Sequence, residues 1–264
     1  MDAKSIISSS VKKIDVIEFD LIDSTNAEAK RMASTLYDNG DSTPRLILAK
    51  EQTAGRGRMG RSFFSKASHG IFMSLLYFTD KPLADVVSVT TATAAIVAAA
   101  IEKFTQKSMR IKWVNDIYND KGKVCGILTE TVPFDKNTVA VVVGIGINIG
   151  DGSFPPELQN IAASIGDVSG KEDDLIAEIV DGILMHADHP NDNTYMTEYR
   201  KRFMLMGADV ILFQNGEAVN RGKVLGVDDR GGLLFVPDGS SETLTVHSGE
   251  VSVRVDGSCT DGLS

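Results

Sequence analysis

A short segment combines glycine and arginine in a pattern that suits the binding of an anion. Residues 55–61 (GRGRMGR) contain three glycines and three arginines. Glycine lets the backbone turn tightly and lets its N–H groups approach a ligand closely. Arginine carries a permanent charge and fork-shaped donors that match phosphate or carboxylate. We expect an exposed anion-binding loop, with a solvated flexible loop and a nucleic-acid-binding patch as alternatives.

Two further clusters bring charged residues to strand ends. Residues 112–116 (KWVND) close a predicted strand and join a lysine, the single tryptophan, an amide and a carboxylate. Residues 123–130 (KVCGILTE) begin the next strand, where alternation predicts Lys123 and Cys125 on one face, opposite Gly126. A glycine in a strand often marks the close approach of a ligand or of another backbone. A polar turn and an exposed lysine at a strand start are the alternative interpretations.

Other glycine, lysine and histidine patterns match neither a dinucleotide-binding motif, nor a P-loop, nor a metal site. Residues 144–148 (GIGIN) lack the third glycine of a dinucleotide-binding turn. Gly170 and Lys171 lack the upstream glycine and the following hydroxyl residue of a phosphate-binding P-loop. His186 and His189 have no third ligand in a recognisable spacing, so we predict no metal site.

Periodicity and turn signals predict the elements that must position these clusters. Thr25 and Glu28 have the spacing of a capping box, which predicts a helix from Thr25 to about Tyr37. Further helices are predicted at residues 84–104, 173–186 and 194–203, and strands at 14–22, 45–50, 70–78, 110–113, 124–130 and 138–149. This order predicts an α+β fold with a mixed sheet flanked by helices.

The pattern changes after Met206. Residues 208–255 contain short alternating segments separated by turns such as Arg230-Gly231-Gly232 and Asp238-Gly239. Short strands joined by tight glycine turns predict a small β-barrel. We therefore predict two domains, over residues 1–205 and 206–264.

Composition limits the classes of function. The 264 residues include 27 Lys+Arg and 36 Asp+Glu, for a net charge of −9, which opposes binding to nucleic acid or anionic lipid. Two cysteines cannot build a disulfide framework, and the N-terminus has no apolar signal region. The longest nearly apolar stretch, residues 86–101, is shorter than the ~20 residues that span a bilayer. We expect a soluble cytoplasmic protein without a membrane partner.

Taken together, the clusters resemble those of the biotin protein ligases. Ser24-Thr25-Asn26, Gln52 and the segments 55–61, 112–116, 123–128 and 144–148 occur in the order of that family. The resemblance covers residues 14–255, and its most specific motifs are G-R-G-R-x-G-R and K-W-x-N-D. It implies the class II synthetase-like catalytic fold shared by biotin and lipoate ligases, followed by a small SH3-like β-barrel.

The resemblance implies a reaction in two steps. The biotin carboxylate attacks the α-phosphate of ATP, with Mg²⁺, and gives biotinyl-5′-AMP and pyrophosphate. The adenylate then acylates one lysine of the biotin carboxyl carrier domain of a biotin-dependent carboxylase. Two anions must be neutralised before they can react, and Arg56, Arg58, Arg61 and Lys123 are the available cations.

The resemblance also implies roles for individual residues. Biotin contacts are implied for Ser24, Thr25, Asn26, Gln52, Arg56, Gly57, Arg58 and Lys123. ATP or adenylate contacts are implied for Arg56, Arg58, Arg61, Phe63 and Asn148, with Asn148 near the adenine. Arg58 and Lys123 are expected to be catalytic. We add the hypothesis that Asp116 is catalytic too, because it orients or deprotonates the acceptor lysine, whose free pKa is about 10.4.

Three positions depart from the family pattern. Phe63 stands where a tryptophan commonly stacks on the adenine, so weaker affinity for ATP or the adenylate is expected. Val114 replaces a usual proline, and Met59 replaces a residue that is often basic.

Some family members carry an N-terminal winged-helix domain and act as operator-binding repressors. The first predicted strand begins at about residue 14, which leaves no room for such a domain, so we expect a ligase without a DNA partner. Monomers and homodimers both occur in the family, and a strand edge near residues 138–143 is a candidate dimer contact.

Two other functions remain open. A lipoate ligase shares the fold and the adenylation chemistry, although the arginine loop and the K-W-x-N-D motif favour biotin. A non-catalytic ligand-sensing or nucleic-acid-binding module could use residues 55–61 alone, but it would need neither Lys123 nor Asn148.

Overall fold

The computed structural model describes residues 2–67, 69–80, 86–190, 192–214, 216–247 and 251–255. Within these ranges the helices are α1 (Ala3–Ser9), α2 (Thr25–Asp38), α3 (Val86–Thr105), α4 (Glu172–Asp188) and α5 (Thr194–Arg202). The strands are β1 (Asp15–Ile22), β2 (Arg45–Gln52), β3 (Gly70–Thr79), β4 (Arg110–Lys112), β5 (Asp116–Tyr118), β6 (Lys123–Pro133), β7 (Val139–Asn148), β8 (Asp209–Gln214), β9 (Glu217–Val227), β10 (Leu233–Pro237), β11 (Leu244–Val246) and β12 (Val251–Val255). The first two residues of the helix predicted at residues 84–104 lie outside the described residues.

Seven strands form the main sheet in the order β1-β2-β3-β7-β6-β5-β4. β1 and β2 are parallel and are connected by α2, whereas the other neighbouring strands are antiparallel. The predicted α+β class, with a mixed sheet flanked by helices, is confirmed. The strand edge expected near residues 138–143 is wrong, because β7 pairs with β3 on one side and β6 on the other. Its valine-rich sequence suits a strand in the interior of a sheet.

The two faces of this sheet are covered by different helices. Leu46 and Leu48 of β2 belong to the larger hydrophobic cluster, which includes residues of α1, α3, α4 and α5. Ile47 lies on the opposite face and packs with Ala29 and Ala33 of α2. This alternation follows from the two-residue period of a β-strand. It places α2 alone among the described helices on the face that also carries the cavity described below.

A five-stranded antiparallel sheet follows, in the order β11-β10-β9-β8-β12. This sheet is the small β structure predicted after Met206. Its buried residues, including Leu212 and Phe235, belong to the same hydrophobic cluster as the main sheet. The Nε1 of Trp113 donates a hydrogen bond to the carbonyl oxygen of Gly231 at 2.9 Å and links the two sheets directly. The division into domains at residues 205 and 206 stays a prediction.

The start of α2 differs from the predicted capping box. The helix begins at Thr25 as predicted, but its N-cap is Ser24, which makes no side-chain capping hydrogen bond. The hydroxyl of Thr25 lies 3.2 Å from Gln52 Oε1 and 2.8 Å from Ser74 Oγ. Polar partners distant in sequence therefore replace the local capping interaction.

Two short elements have no counterpart among the predicted ones. α1 is capped by the carboxylate of Asp2 and buries Ile6 completely. β5 has only three residues. Elements of this length are too short for hydrophobic periodicity to reveal. Among the described residues, no helix has both the length and the apolar character needed to cross a membrane.

Candidate active site

Glycines on two neighbouring strands form the floor of a cavity. Gly144 and Gly146 of β7, and Gly126 of β6, lie on the face of the main sheet that α2 covers further along the strands. Ser74 of β3 is the register partner of Gly144. Because glycine has no side chain, the sheet leaves room here for a cavity of about 160 Å³.

The first residues of α2 line one part of this cavity. Ser24, Thr25 and Asn26 are all buried, although they are polar. The backbone N–H of Thr25 donates to Gln52 Oε1 at 2.9 Å, and Gln52 Nε2 donates to Ser65 Oγ at 3.0 Å. The structure thus brings four residues with predicted biotin contacts together in one polar group.

Two floor glycines are each covered by a side chain. A Cβ atom on Gly144 would lie 2.1 Å from Asn26 Oδ1, and one on Gly146 would lie 2.4 Å from the ring of Phe63. Real Cβ atoms do not approach other heavy atoms this closely, so glycine is required at both positions for Asn26 and Phe63 to lie where they do. Asn26 and Phe63 therefore occupy neighbouring places on the floor.

The arginine-rich segment folds back on itself at the rim. The N–H of Gly57 donates to the carbonyl oxygen of Arg61 at 2.7 Å. The chain reverses at Met59 and Gly60, whose φ angles of 56° and 72° lie in the left-handed region. Glycine adopts this conformation readily, and Met59 adopts it as one of few non-glycine residues.

The three arginines of this loop differ in environment. Arg56 and Arg61 are exposed, as predicted for the loop, whereas Arg58 is half-buried. Arg58 Nη1 donates to Asn115 Oδ1 at 3.2 Å. Burial lowers the pKa of Arg58. All three arginines line the cavity, and Arg58 reaches furthest from solvent.

The hairpin of β4 and β5 supplies a second set of charges. Lys112 and Asp116 are register partners on this hairpin and both line the cavity. Asp116 Oδ1 lies 2.6 Å from Lys123 Nζ, and the two side chains are 25% and 26% exposed. Asn115 Nδ2 donates to the carbonyl oxygen of Ile127 at 2.6 Å and ties the turn to β6.

The turn of this hairpin also contacts helix α5. Tyr199 of α5 is fully buried, and its hydroxyl donates to the carbonyl oxygen of Val114 at 3.2 Å. The peptide bond between Trp113 and Val114 is cis. Trp113 itself donates to Gly231 in the second sheet, so the K-W-V-N-D segment is fixed at several points.

The prediction that Lys123 shares a strand face with Cys125, opposite Gly126, is wrong. Lys123 faces the cavity together with Gly126, since a Cβ atom on Gly126 would lie 3.2 Å from Lys123 Nζ. Cys125 points the other way and is completely buried in the hydrophobic cluster. The cause is a β-bulge: Ile117 pairs with Cys125, but Tyr118 pairs with Lys123, so one extra residue lies between them. A bulge inserts a residue and breaks the simple alternation on which the prediction depended.

Asn148 is not among the residues that line the cavity. It is buried, and its Nδ2 donates to the carbonyl oxygens of Lys123 at 3.2 Å and Ala163 at 3.0 Å. Asn148 thus holds the backbone of Lys123 in place. Its contact with adenine stays a prediction.

Sequence patterns gave no role to three further residues near the site. Lys112 lines the cavity, where burial lowers its pKa, with Asp116 opposing and Lys123, Arg61 and Arg254 adding to the decrease. Ser74 is fully buried between Thr25 and Asn26, and Glu130 accepts a hydrogen bond from Asn26 at 2.9 Å. A serine inside the apolar run of β3 is the signal that identifies Ser74, since a buried hydroxyl needs a partner.

The charges that line the cavity are mostly positive. Arg56, Arg58, Arg61, Lys112 and Lys123 are the cations among the described lining residues, and Asp116 is the carboxylate. A set of cations around one carboxylate suits an anionic ligand. In the described part of the chain, no group of three or more His, Cys, Asp or Glu residues is arranged to hold a metal ion.

Comparison with known proteins identifies the family. Residues 18–148 match the model of the Biotin/lipoate A/B protein ligase family. The bifunctional ligase/repressor BirA of Bacillus spizizenii is 35% identical over 225 residues, which cover 82% of this chain and 67% of that protein. The biotin–[acetyl-CoA-carboxylase] ligase of Paracoccus denitrificans is 30% identical over 225 residues, which cover 81% of this chain and 90% of that protein.

Solved structures agree with these sequence matches. A biotin protein ligase from Aquifex aeolicus, in complex with biotin and ATP, superposes with a TM-score of 0.71 at 25% identity. The superposition covers 91% of this chain and 99% of that one. Fold, sequence and the order of motifs around the cavity lead to one assignment: the chain belongs to the biotin protein ligases of the Biotin/lipoate A/B protein ligase family.

Proposed function

We propose that this enzyme joins biotin and ATP into biotinyl-5′-AMP and then transfers the biotinyl group to one lysine of a biotin carboxyl carrier domain. The observation that carries the proposal is a cavity with two chemically different parts. Buried polar groups at the start of α2 line one part, and the cations of the arginine loop and of Lys112 and Lys123 line the other. The first part suits a ureido ring, and the second suits a carboxylate beside a phosphate.

The polar part of the cavity favours biotin over lipoate. A ureido ring offers two N–H donors and one carbonyl acceptor, which Ser24, Thr25, Asn26 and Gln52 can match. The dithiolane ring of lipoate has no comparable hydrogen-bonding group. It would leave these buried polar groups unpaired, which a site built for hydrogen bonding rejects strongly.

The cationic part of the cavity lowers the main barrier of the first step, which is the repulsion between the biotin carboxylate and the phosphates of ATP. An oxygen of the biotin carboxylate attacks the α-phosphorus of ATP, and the bond from that phosphorus to the pyrophosphate oxygen breaks. Arg56, Arg58 and Lys123 offset the repulsion between the two anions and stabilise the charge that develops in the transition state. Mg²⁺ enters as part of the MgATP substrate and neutralises the leaving pyrophosphate. Phe63 and Asn148 are proposed to lie near the adenine.

The pair of Asp116 and Lys123 suggests how the second step proceeds. When a phosphate enters, Lys123 turns towards it, and the carboxylate of Asp116 becomes available to the acceptor lysine. Asp116 accepts the proton of that amine, the nitrogen attacks the acyl carbon, and the bond to AMP breaks. If Asp116→Asn left transfer from preformed adenylate unchanged, this role would be wrong.

The proposal is tested by following both products. The chain is incubated with biotin and α-labelled ATP, and the labelled adenylate is separated. A biotin-free carrier domain is then added, and its mass and its binding to streptavidin are measured. We expect adenylate only with biotin present, followed by one biotin per carrier domain. Adenylate formation with lipoate but not with biotin would assign the enzyme to the lipoate ligases instead.

DNA binding does not belong to the proposed function. A net charge of −9 disfavours association with a polyanion, even though the arginine loop is locally basic. A gel-shift experiment with biotin, ATP and candidate operator DNA should give no specific complex. A sequence-specific complex would add a repressor function to the ligase.

A further inference from the structure

We propose that Glu130 is a positioning residue for biotin: through Asn26 and Ser74 it fixes the direction of hydrogen bonding at Thr25, so that Thr25 faces the ligand as an acceptor. The inference rests on the proposed function and deepens it, because it says how the cavity selects a ureido N–H group. The proposal rests on four side chains in contact one after another, which we call the relay: Glu130, Asn26, Ser74 and Thr25.

The relay starts at a carboxylate. Glu130 Oε2 accepts from Asn26 Nδ2 at 2.9 Å, and Glu130 Oε1 accepts from Lys30 Nζ at 2.7 Å. Partial burial acts to raise the pKa of Glu130, but the hydrogen bonds from Lys30 and Asn26 and the nearby positive charges outweigh it and lower the pKa. Glu130 is therefore ionised at neutral pH, and both of its oxygens can only accept.

The carboxylate decides which way the amide of Asn26 points. Asn26 Nδ2 also donates to the carbonyl oxygen of Leu128 at 3.2 Å. Two acceptors on the same side require the amide nitrogen there, so Oδ1 must face the other way. It faces Ser74, whose Oγ lies 2.5 Å from Asn26 Oδ1 in a fully buried place.

The amide oxygen of Asn26 in turn determines which hydroxyl donates in the hydrogen bonds of Ser74 and Thr25. An amide oxygen cannot donate, so Ser74 gives its single proton to Asn26. Ser74 Oγ also lies 2.8 Å from Thr25 Oγ1, and in this contact Thr25 is consequently the donor. The competing acceptor, Gln52 Oε1, is further away at 3.2 Å and already accepts from the Thr25 N–H.

Thr25 therefore presents only lone pairs to the cavity that it lines. A ureido N–H group meets an acceptor at this position. If the relay were reversed, Ser74 would donate to Thr25 and occupy one of its lone pairs, and the Thr25 proton would be left to the longer contact with Gln52 Oε1 at 3.2 Å. Thr25 would then be a poorer acceptor for the ureido N–H group, and biotin binding would weaken.

A double-mutant cycle tests the relay. Biotin dissociation constants are measured by titration calorimetry for the unaltered chain, Glu130→Gln, Thr25→Val and the double variant. Glutamine keeps the size of Glu130 but cannot accept with both terminal atoms. We expect Glu130→Gln to weaken biotin binding about tenfold, equivalent to about 1.4 kcal/mol, and ATP binding to stay within about twofold.

The decisive result is the lack of additivity. Because Glu130 acts through the hydroxyl of Thr25, its substitution should have little further effect once Thr25 is valine. Glu28→Gln is the matched control, since Glu28 lies on α2 and pairs with Arg31 at the surface. Ser74→Ala breaks the relay in the middle and should reproduce the loss, which keeps the test available if Glu130→Gln folds poorly.

Three results would overturn the relay while the proposed function stands: unchanged biotin affinity in folded Glu130→Gln and Ser74→Ala, fully additive effects of Glu130→Gln and Thr25→Val, or an equal loss in Glu28→Gln. Failure of the unaltered chain to bind biotin would instead overturn the proposed function, and this inference with it.

Discussion

Gly144 and Gly146 keep the cavity floor open beneath two different side chains. A methyl group on Gly144 would meet Asn26, and one on Gly146 would meet Phe63. We therefore expect Gly144→Ala to raise KM for biotin and Gly146→Ala to raise KM for ATP, each by roughly tenfold or more, since overpacking displaces the covering side chain. The two variants are controls for each other, and steady-state kinetics distinguish them. Equal effects on both substrates from either variant would contradict the separation of the two subsites.

The positive charge of Lys112 destabilises the folded chain but favours an anionic ligand in the cavity. Burial lowers its pKa in the folded chain, so its charge is disfavoured on folding at neutral pH. This penalty shrinks as the pH rises from the lowered folded pKa towards the unfolded pKa, and it is lost above the unfolded pKa, where the lysine is neutral in both states. Lys112→Met should raise the free energy of unfolding at pH 7, with a smaller gain at pH 10, and should slow adenylate formation.

Urea unfolding at both pH values and an adenylation assay measure these effects. Lys121→Met, at an exposed turn, is the control and should change neither quantity appreciably. A loss of stability in Lys112→Met at pH 7 would show that Lys112 has a favourable structural contact instead.

At the level of elements, the β4–β5 hairpin joins the active site to the rest of the fold. Trp113→Phe removes the donor to Gly231 and leaves its carbonyl oxygen unpaired. We expect a loss of about 1–3 kcal/mol in the free energy of unfolding. Adenylation should also slow, because Lys112 directly precedes Trp113 and Asp116 lies three residues after it. Tyr118→Phe is the matched control on the same hairpin, since its hydroxyl makes no hydrogen bond to the described residues. Equal stability of the two variants in urea would show that the Trp113 contact does not matter.

Long elements and the motif order were predictable from the sequence, but side-chain direction was not. The strands around residues 45–52 and 139–148 follow from their apolar runs. Lys123 was placed on the wrong face because a bulge depends on pairing with β5, a strand too short to recognise. Ser24 replaces Thr25 as the N-cap because Thr25 contacts Gln52 and Ser74, which lie 27 and 49 residues away. Side-chain direction and helix capping at these positions depend on contacts with residues distant in sequence, so local sequence patterns do not predict them.

The whole molecule distributes its charge unevenly. An overall charge of −9 coexists with a cavity whose described lining contains five cations and one carboxylate. Such a local concentration of positive charge attracts anionic substrates into the site. The overall composition shows an acidic protein and gives no sign of a basic site. In the sequence, the signal for that site is the arginine-rich loop at residues 55–61.

The packing of the second sheet against α3 is a property of the whole molecule and is testable at Gly231, in the turn before β10. This glycine has a φ of +81°, and a Cβ atom would lie 2.6 Å from the side chain of Thr91. Gly239 has a similar φ of +75° with nothing within 4 Å, so Gly239→Val has the same backbone strain without the clash. We expect Gly231→Val to unfold at a lower temperature than Gly239→Val, by about 1–3 kcal/mol in stability, and to lose more activity. Equal melting temperatures would contradict close packing of Gly231 against α3.

Activation of biotin in the cavity is measured directly by the exchange of labelled pyrophosphate into ATP. We predict exchange that requires biotin and is not supported by lipoate. Arg58→Ala should reduce the rate by about 10²–10³-fold, as expected for a group that stabilises the transition state, whereas Arg221→Ala on the exposed part of β9 should not. Exchange that depends on lipoate, or no biotin-dependent exchange by the folded unaltered chain, would contradict biotin activation at this site.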